Sequence, residues 1–228
     1  MADEKNKNIN ESTEEIKSET KNTVKDVKET IKKVNIKDDA KDTSNFVVSM
    51  FNKPLETLKK IANDSKNANF KNALILIIVW LVAIAIARIA DFHWAFRLVG
   101  TNFMSLLKGL LTPILGILAL SCIIYFMKKS SKKSLTTIIT TVTIALVPNI
   151  VISLISLLSI FSSNFNLVIA PLSGFANVIT VIFEYFAIKA LINESENSKF
   201  IKTFMIIQGI YFICYFAISF LGIYLPRI

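Results

Sequence analysis

At 228 residues, 53% of them hydrophobic and with a mean hydropathy of +0.52, the chain is too apolar for an ordinary soluble domain. Its net charge of +9 does not mark a nucleic-acid binder: the first 45 residues hold ten Lys against eleven Asp and Glu, and the positive excess lies further on, beside apolar runs. The two cysteines, Cys122 and Cys214, both fall inside apolar runs, so neither a disulfide framework nor a metal site is implied, and no cofactor either.

Residues 1–45 form a polar tail without an aromatic residue. Too few apolar side chains are present to offset the entropy of ordering, so a mostly disordered segment is expected. Asp3 and Glu4 near its start do not fit a secretory signal peptide, which opens with basic residues before an apolar core. Within it, Val24, Val27, Ile31 and Val34 alternate spacings of three and four, the pattern of a narrow helical stripe. Such a helix either stays solvated or forms against a partner or the membrane surface.

A short amphipathic helix is expected at about residues 52–63. Asn52 suits its cap and Pro54 its first turn; Leu55, Leu58, Ile61 and Ala62 share one face, while Lys59 and Lys60 lie on the other, with Glu56 in the first turn. A basic amphipathic helix just ahead of an apolar span belongs either in the headgroup region or against the protein's own bundle.

Five spans follow. The first is Asn72 to Ala90, with Arg88 close enough to its end to snorkel, and it leads into the aromatic stretch Asp91 to Arg97. That stretch holds the lone His93, which lacks a second His or a Cys nearby to make a ligand set. The second span is Gly109 to Met127, with Pro113 and Gly116 inside it. From Ser134 to Phe183 no Asp, Glu, Lys, Arg or His occurs, and fifty residues are about twice what one crossing needs. The stretch must turn back, and Phe161 to Asn166 is the polar segment where it does so. The third span thus runs from Ser134 to Ile160, kinked at Pro148-Asn149. Its small and polar stripe Thr137, Thr141, Ala145, Asn149 and Ser153 should face other helices. In the fourth, starting at Leu167, Ala170 and Gly174 have the spacing that lets helices approach closely. The fifth runs from Thr203 to Leu225.

Lysines sort the two sides. Five lie between Lys53 and Lys71, four in Lys128 to Lys133 and two at Lys199 and Lys202, against Arg88, Arg97 and Arg227 at the other face. This places the N-terminus in the cytoplasm and the C-terminus outside, in the cell membrane.

No nucleophile with a base, no His-Glu-x-x-His and no phosphate-cradling glycine loop is present, which argues against an enzyme. Glu184 is the ionisable residue nearest a span interior. Either it joins Asn149, Asn177 or Gln208 in a proton or cation site, or it sits near the interface and pairs with Lys189 or a lysine of the second loop.

The stretch Met50-Phe51-Asn52-Lys53-Pro54-Leu55-Glu56-Thr57-Leu58-Lys59-Lys60-Ile61, with Ala145-Leu146-Val147-Pro148 in a Thr-rich third span, resembles the Yip domain (Ypt-interacting protein) membrane proteins in their short bacterial form. The resemblance covers about residues 46–225 and implies an all-α five-span bundle with a cytoplasmic N-terminus. Eukaryotic members of that family are linked to small GTPases and membrane traffic. The Asp-Leu-Tyr-Gly-Pro-like motif of many of them is absent from this chain, so the resemblance implies a fold and a location more than a task.

The expected organisation is therefore a tail, 1–45, and a Yip-like membrane domain, 46–228. The leading expectation for function is a non-enzymatic protein that organises the membrane or recruits partners through the tail and the interfacial helix. The alternative is a small transporter or channel component using Glu184 and the polar third span. Expected partners are the lipid bilayer, a protein met through the tail and a further copy of the chain; nucleic acid is not among them.

Overall fold

The computed structural model of the chain describes residues 17–30, 36–64, 69–95, 103–127, 133–162, 164–192, 194 and 196–224. Ile31 and Val34 of the tail stripe, Phe96 and Arg97, Lys128 to Lys132 and Pro226 to Ile228 lie outside the described residues. Among the described residues every regular element is helical: α1 (residues 17–30), α2 (Ile36–Asn52), α3 (Pro54–Ala62), α4 (Phe70–Ala95), α5 (Phe103–Met127), α6 (Leu135–Ala145), α7 (Val147–Ser156), a 3-10 turn (Leu157–Ile160), α8 (Phe165–Ile192) and α9 (Asn197–Tyr224). Helices α4, α5, α8 and α9 are long and apolar enough to cross a membrane, and the bent pair α6 and α7 makes a fifth if it counts as one span.

Helix α6 is the centre of the bundle. Nine of its eleven residues are buried, five of them threonines. A threonine tolerates this because its hydroxyl bonds the carbonyl one turn back: Thr140 Oγ1 donates to Thr136 O at 2.7 Å and Thr141 Oγ1 to Thr137 O at 2.8 Å. Ser134 caps the helix, its hydroxyl accepting from Thr137 N at 3.2 Å. Thr137, Thr141 and Ala145 of the expected stripe are buried, and Asn149 and Ser153 half-buried. The bend of 47° falls at Leu146, two residues before the expected kink at Pro148-Asn149, because Pro148 has no N–H to give and takes a first-turn position of α7.

Helix α3 starts on Pro54 as expected, but its cap is Lys53, not Asn52, and no side chain bonds its first turn. Leu58 and Ile61 are buried in one core cluster with Ile144, Ala145 and Phe183, so the helix packs on the chain's own bundle. Glu56, Lys59 and Lys60 stay exposed on its outer face, and Glu56 pairs with Lys53 at 3.5 Å.

Of the tail, the structure describes residues 17–30 and 36–45, and both stretches are helical. Its helical residues 17–30 line up Glu19, Thr23 and Asp26 on one face, and that face meets the start of α6. Leu135 N donates to Glu19 Oε2 at 3.2 Å, Thr136 Oγ1 donates to Asp26 Oδ2 at 3.2 Å, and the Thr23 and Thr136 hydroxyls are 3.3 Å apart. A helix start has spare N–H groups and a partial positive charge, which an acidic face satisfies better than the valine stripe does. Val24 accordingly remains exposed. Helix α2 runs through the expected boundary at residue 45 and is tied to α4 by Thr43 Oγ1 donating to Asn72 Oδ1 at 3.3 Å.

Ala170 and Gly174 do not bring helices together within the chain. Both are exposed, and a β-carbon at Gly174 would meet nothing within 4 Å.

Candidate intramembrane polar cleft

Helices α8 and α9 meet near their connection and then part. At the meeting point the Tyr185 ring stands edge-on to Phe200 and Phe204, with centroids 5.0 and 5.2 Å apart. One step on, Gln208 Nε2 donates to Glu184 Oε2 at 3.0 Å. Beyond that bond α9 packs chiefly on α5 and not on α8, and the divergence opens a cleft of about 730 Å³ among α4, α5, α8 and α9, with Leu146 and Asn149 from the α6–α7 bend in its wall.

Four of the residues singled out in the sequence line this cleft together: Glu184, Gln208, Asn149 and Asn177. Glu184 is 7% exposed, and its hydrogen-bond partner is a neutral amide. Asn149 Oδ1 and Thr180 Oγ1 are buried without a hydrogen-bond partner among the described residues. Asn177 lines the cleft but is exposed.

Lys189 belongs elsewhere, and the expected pairing of Glu184 with it does not form. Five positions along a helix turn a side chain by about 140°, so the two point to different faces. Lys189 Nζ donates to Asn197 Oδ1 at 3.3 Å and lies over the Tyr185 and Phe200 rings at 5.9 and 5.7 Å. The interfacial residues Pro54, Glu56, Lys59 and Lys60 are also apart from the cleft, on α3; Glu56 and Lys60 line a second hollow of about 420 Å³ between α2 and α3.

No family model, curated protein or solved structure matches the chain. The cleft therefore has to be read from its own chemistry. Among the described residues no group of three His, Cys, Asp or Glu could hold a metal ion. What the cleft offers is one buried carboxyl, the basic side chains of Arg88 and Lys108, several amide and hydroxyl groups and an apolar wall that includes Trp80, Ile117 and Phe212. Such a set of groups, in a space of ligand size, can hold a solute by charge and hydrogen bonds.

Several lining residues were not visible as site residues in the sequence. Thr180, Trp80 and Tyr211 read as ordinary span residues, and Arg88 read as an interfacial anchor; Lys108 did not stand out either. One signal was present: Gly109 and Gly116 on α5 are seven apart and so share a face. A β-carbon at Gly109 would stand 3.2 Å from Arg88 Nε, and one at Gly116 would stand 3.2 Å from the Tyr211 hydroxyl. Each glycine makes room for a polar side chain of the cleft.

Proposed function

We propose that this chain is a non-enzymatic multi-pass membrane protein that binds a cationic or hydrogen-bond-donating solute at membrane depth, as a small transporter or carrier component. The observation that carries the reading is Glu184, buried and bonded to a neutral amide, beside acceptors on Asn149 and Thr180 that have no partner among the described residues, in an open cleft. A buried carboxyl is costly and is retained where a ligand or an ion meets it. Proteoliposomes given gradients of H⁺, Na⁺, K⁺ and methylammonium test it. Flux or binding of one of these that falls with Glu184→Gln supports the reading; transport and binding indifferent to that substitution, for every probe, refute it.

A second reading, membrane organisation or partner recruitment, is favoured by the exposed basic face of α3 and the hollow beside it, which Lys53, Glu56 and Lys60 line. Affinity capture from gently solubilised membranes, with and without residues 1–45, tests that reading separately. A Yip-like identity is likewise our proposal: α3 beginning on Pro54 and the bend ahead of Pro148 are consistent with the residues that carry the resemblance.

Five crossings, with the N-terminus cytoplasmic and the C-terminus outside, complete the reading. Lys133 Nζ donates to Ala190 O at 3.1 Å, so the start of α6 and the end of α8 lie at the same end of the bundle. With 28 residues α8 is about 42 Å long. Its beginning, and with it the end of the bent pair, then lies at the opposite end, which favours a broken span over a re-entrant loop.

A further inference from the structure

We propose that the ligand of the cleft is a zwitterion, its ammonium seated at Glu184 and its oxyanion at Arg88 and Lys108. The proposal rests on the reading of the cleft as a solute site and goes further by naming the solute's chemistry. One end of the cleft holds an acid and the other two bases. At one end Glu184 is the sole acid among the lining residues, and one of its oxygens takes the Gln208 amide. Asn149 Oδ1 and Thr180 Oγ1 are left buried with no partner among the described residues, and Thr180 is 4% exposed. A primary ammonium brings three donors and a positive charge to that set.

At the other end stand two cations. Arg88 reaches from α4 to lie over Gly109 of α5, and Lys108 precedes that glycine. A bare inorganic cation would satisfy Glu184 but would have to share the cleft with both fixed positive charges, and it needs no space of about 730 Å³. An oxyanion at Arg88 and Lys108 turns the same two charges into binding groups.

The separation of the ends sets the length of the ligand. Gly109, under Arg88, and Gly116, under the Tyr211 hydroxyl, are seven residues apart, and Gln208 lies one turn of α9 beyond Tyr211, so the charged ends are roughly 10–15 Å apart along the bundle. An extended peptide covers about 3.3–3.6 Å per residue, so three or four residues span that distance. A free amino acid is too short. A zwitterionic lipid headgroup has the same chemistry but, like a free amino acid, holds its two charges too close together to reach both ends. The length favours a short peptide.

The test is calorimetric titration of trialanine into the full chain in nanodiscs of phosphatidylglycerol alone. N-acetyl-trialanine and trialanine amide each remove one charge and need no protein variant. We expect either cap to weaken binding tenfold or more. In Glu184→Gln the acetyl cap should lose its effect while the amide cap keeps it, and Arg88→Gln with Lys108→Gln should show the reverse. A parallel arm uses nanodiscs containing phosphatidylethanolamine and native mass spectrometry: a retained lipid lost in Glu184→Gln, with no trialanine binding, keeps the zwitterion and assigns it to the bilayer. Binding indifferent to both caps overturns the proposal, as does binding of neither probe. If Na⁺, K⁺ or methylammonium nevertheless binds in a Glu184-dependent way, the zwitterion falls and the solute cleft stands; if none does, both fall.

Discussion

The ammonium of Lys133 donates to the carbonyl oxygen of Ala62 at 2.7 Å, joining the last residue of α3 to the residue pair that opens α6. The same nitrogen reaches Asn63 Oδ1 at 2.9 Å and Ala190 O at 3.1 Å. Helix ends leave carbonyls without intrahelical partners and carry partial negative charge, so one cation serves the ends of both α3 and α8. Lys133→Met keeps most of the stem and removes the donors. We expect it to cost about 1–3 kcal/mol, read as a lowered Tm in detergent, whereas Lys60→Met on the exposed face of α3 should leave Tm nearly unchanged. Equal shifts for the two would contradict the stapling role.

Burial pushes the Lys133 ammonium below its ordinary value of 10.5. Between the lowered value and 10.5 the unfolded chain still holds a proton that the folded chain has released, so stability rises with pH across that window. Wild type should therefore gain on Lys133→Met as pH climbs through it. Denaturation series at several pH values below and within the window check the sign, and a decline of wild type relative to the variant would reverse it.

Trp80 Nε1 donates to Ser153 Oγ at 3.0 Å, and that hydroxyl donates onward to Asn149 O at 2.7 Å. The relay ties α4 to the first turns of α7, next to the bend that brings Asn149 into the cleft. Trp80→Phe and Ser153→Ala should each cost about 0.5–1.5 kcal/mol. Because they remove the same bond, the double variant should cost clearly less than the two single losses together. Additive losses in a thermal-unfolding cycle would show the bond to be energetically idle.

The apolar runs of α4, α5, α8 and α9 were legible because helical crossing length and the exclusion of charge leave a pattern that no local detail overrides. Glu184, Gln208, Asn149 and Asn177 were legible as polar residues in apolar surroundings, and the fold gathers all four. Lys189 was misplaced because proximity in sequence stood in for proximity in space, and five helical positions turn away. The docking of Glu19, Thr23 and Asp26 was not legible: its cause is the start of α6, more than a hundred residues away, and nothing in the tail announces that partner. Gly109 and Gly116 showed a shared face but not what would fill it.

The Tyr211 hydroxyl lies 3.2 Å from where a β-carbon at Gly116 would stand. Gly116→Ala forces a shift of a few tenths of an ångström, and Gly116→Leu fills that part of the cleft. We expect Gly116→Leu to weaken Glu184-dependent ligand binding tenfold or more at a stability cost of about 1–3 kcal/mol. Tyr211→Phe should restore part of the binding lost in Gly116→Ala, since removing the hydroxyl returns the space. Unchanged ligand affinity in Gly116→Leu, with the chain still folded, would place the binding site elsewhere.

The bent pair decides how many times the chain crosses the membrane, and side-specific labelling of single cysteines can read this out once Cys122 and Cys214 are replaced by serine. Phe161, 82% exposed, directly follows the bent pair, and Lys60 is exposed on α3 at the end that holds Lys133. If α6 and α7 form one broken span, Phe161→Cys reacts with an impermeant thiol reagent applied outside, Lys60→Cys reacts only after permeabilisation, and a tag after Ile228 is reached from outside. The lysine distribution favours this arrangement even though Lys108 adds a cation to the outer set, because the opposite orientation would put the far larger lysine group outside. A re-entrant pair would put Phe161→Cys and Lys60→Cys on the same side. It would also force α8, which is tied at Ala190 to Lys133, to begin and end at one membrane face despite its 28 residues.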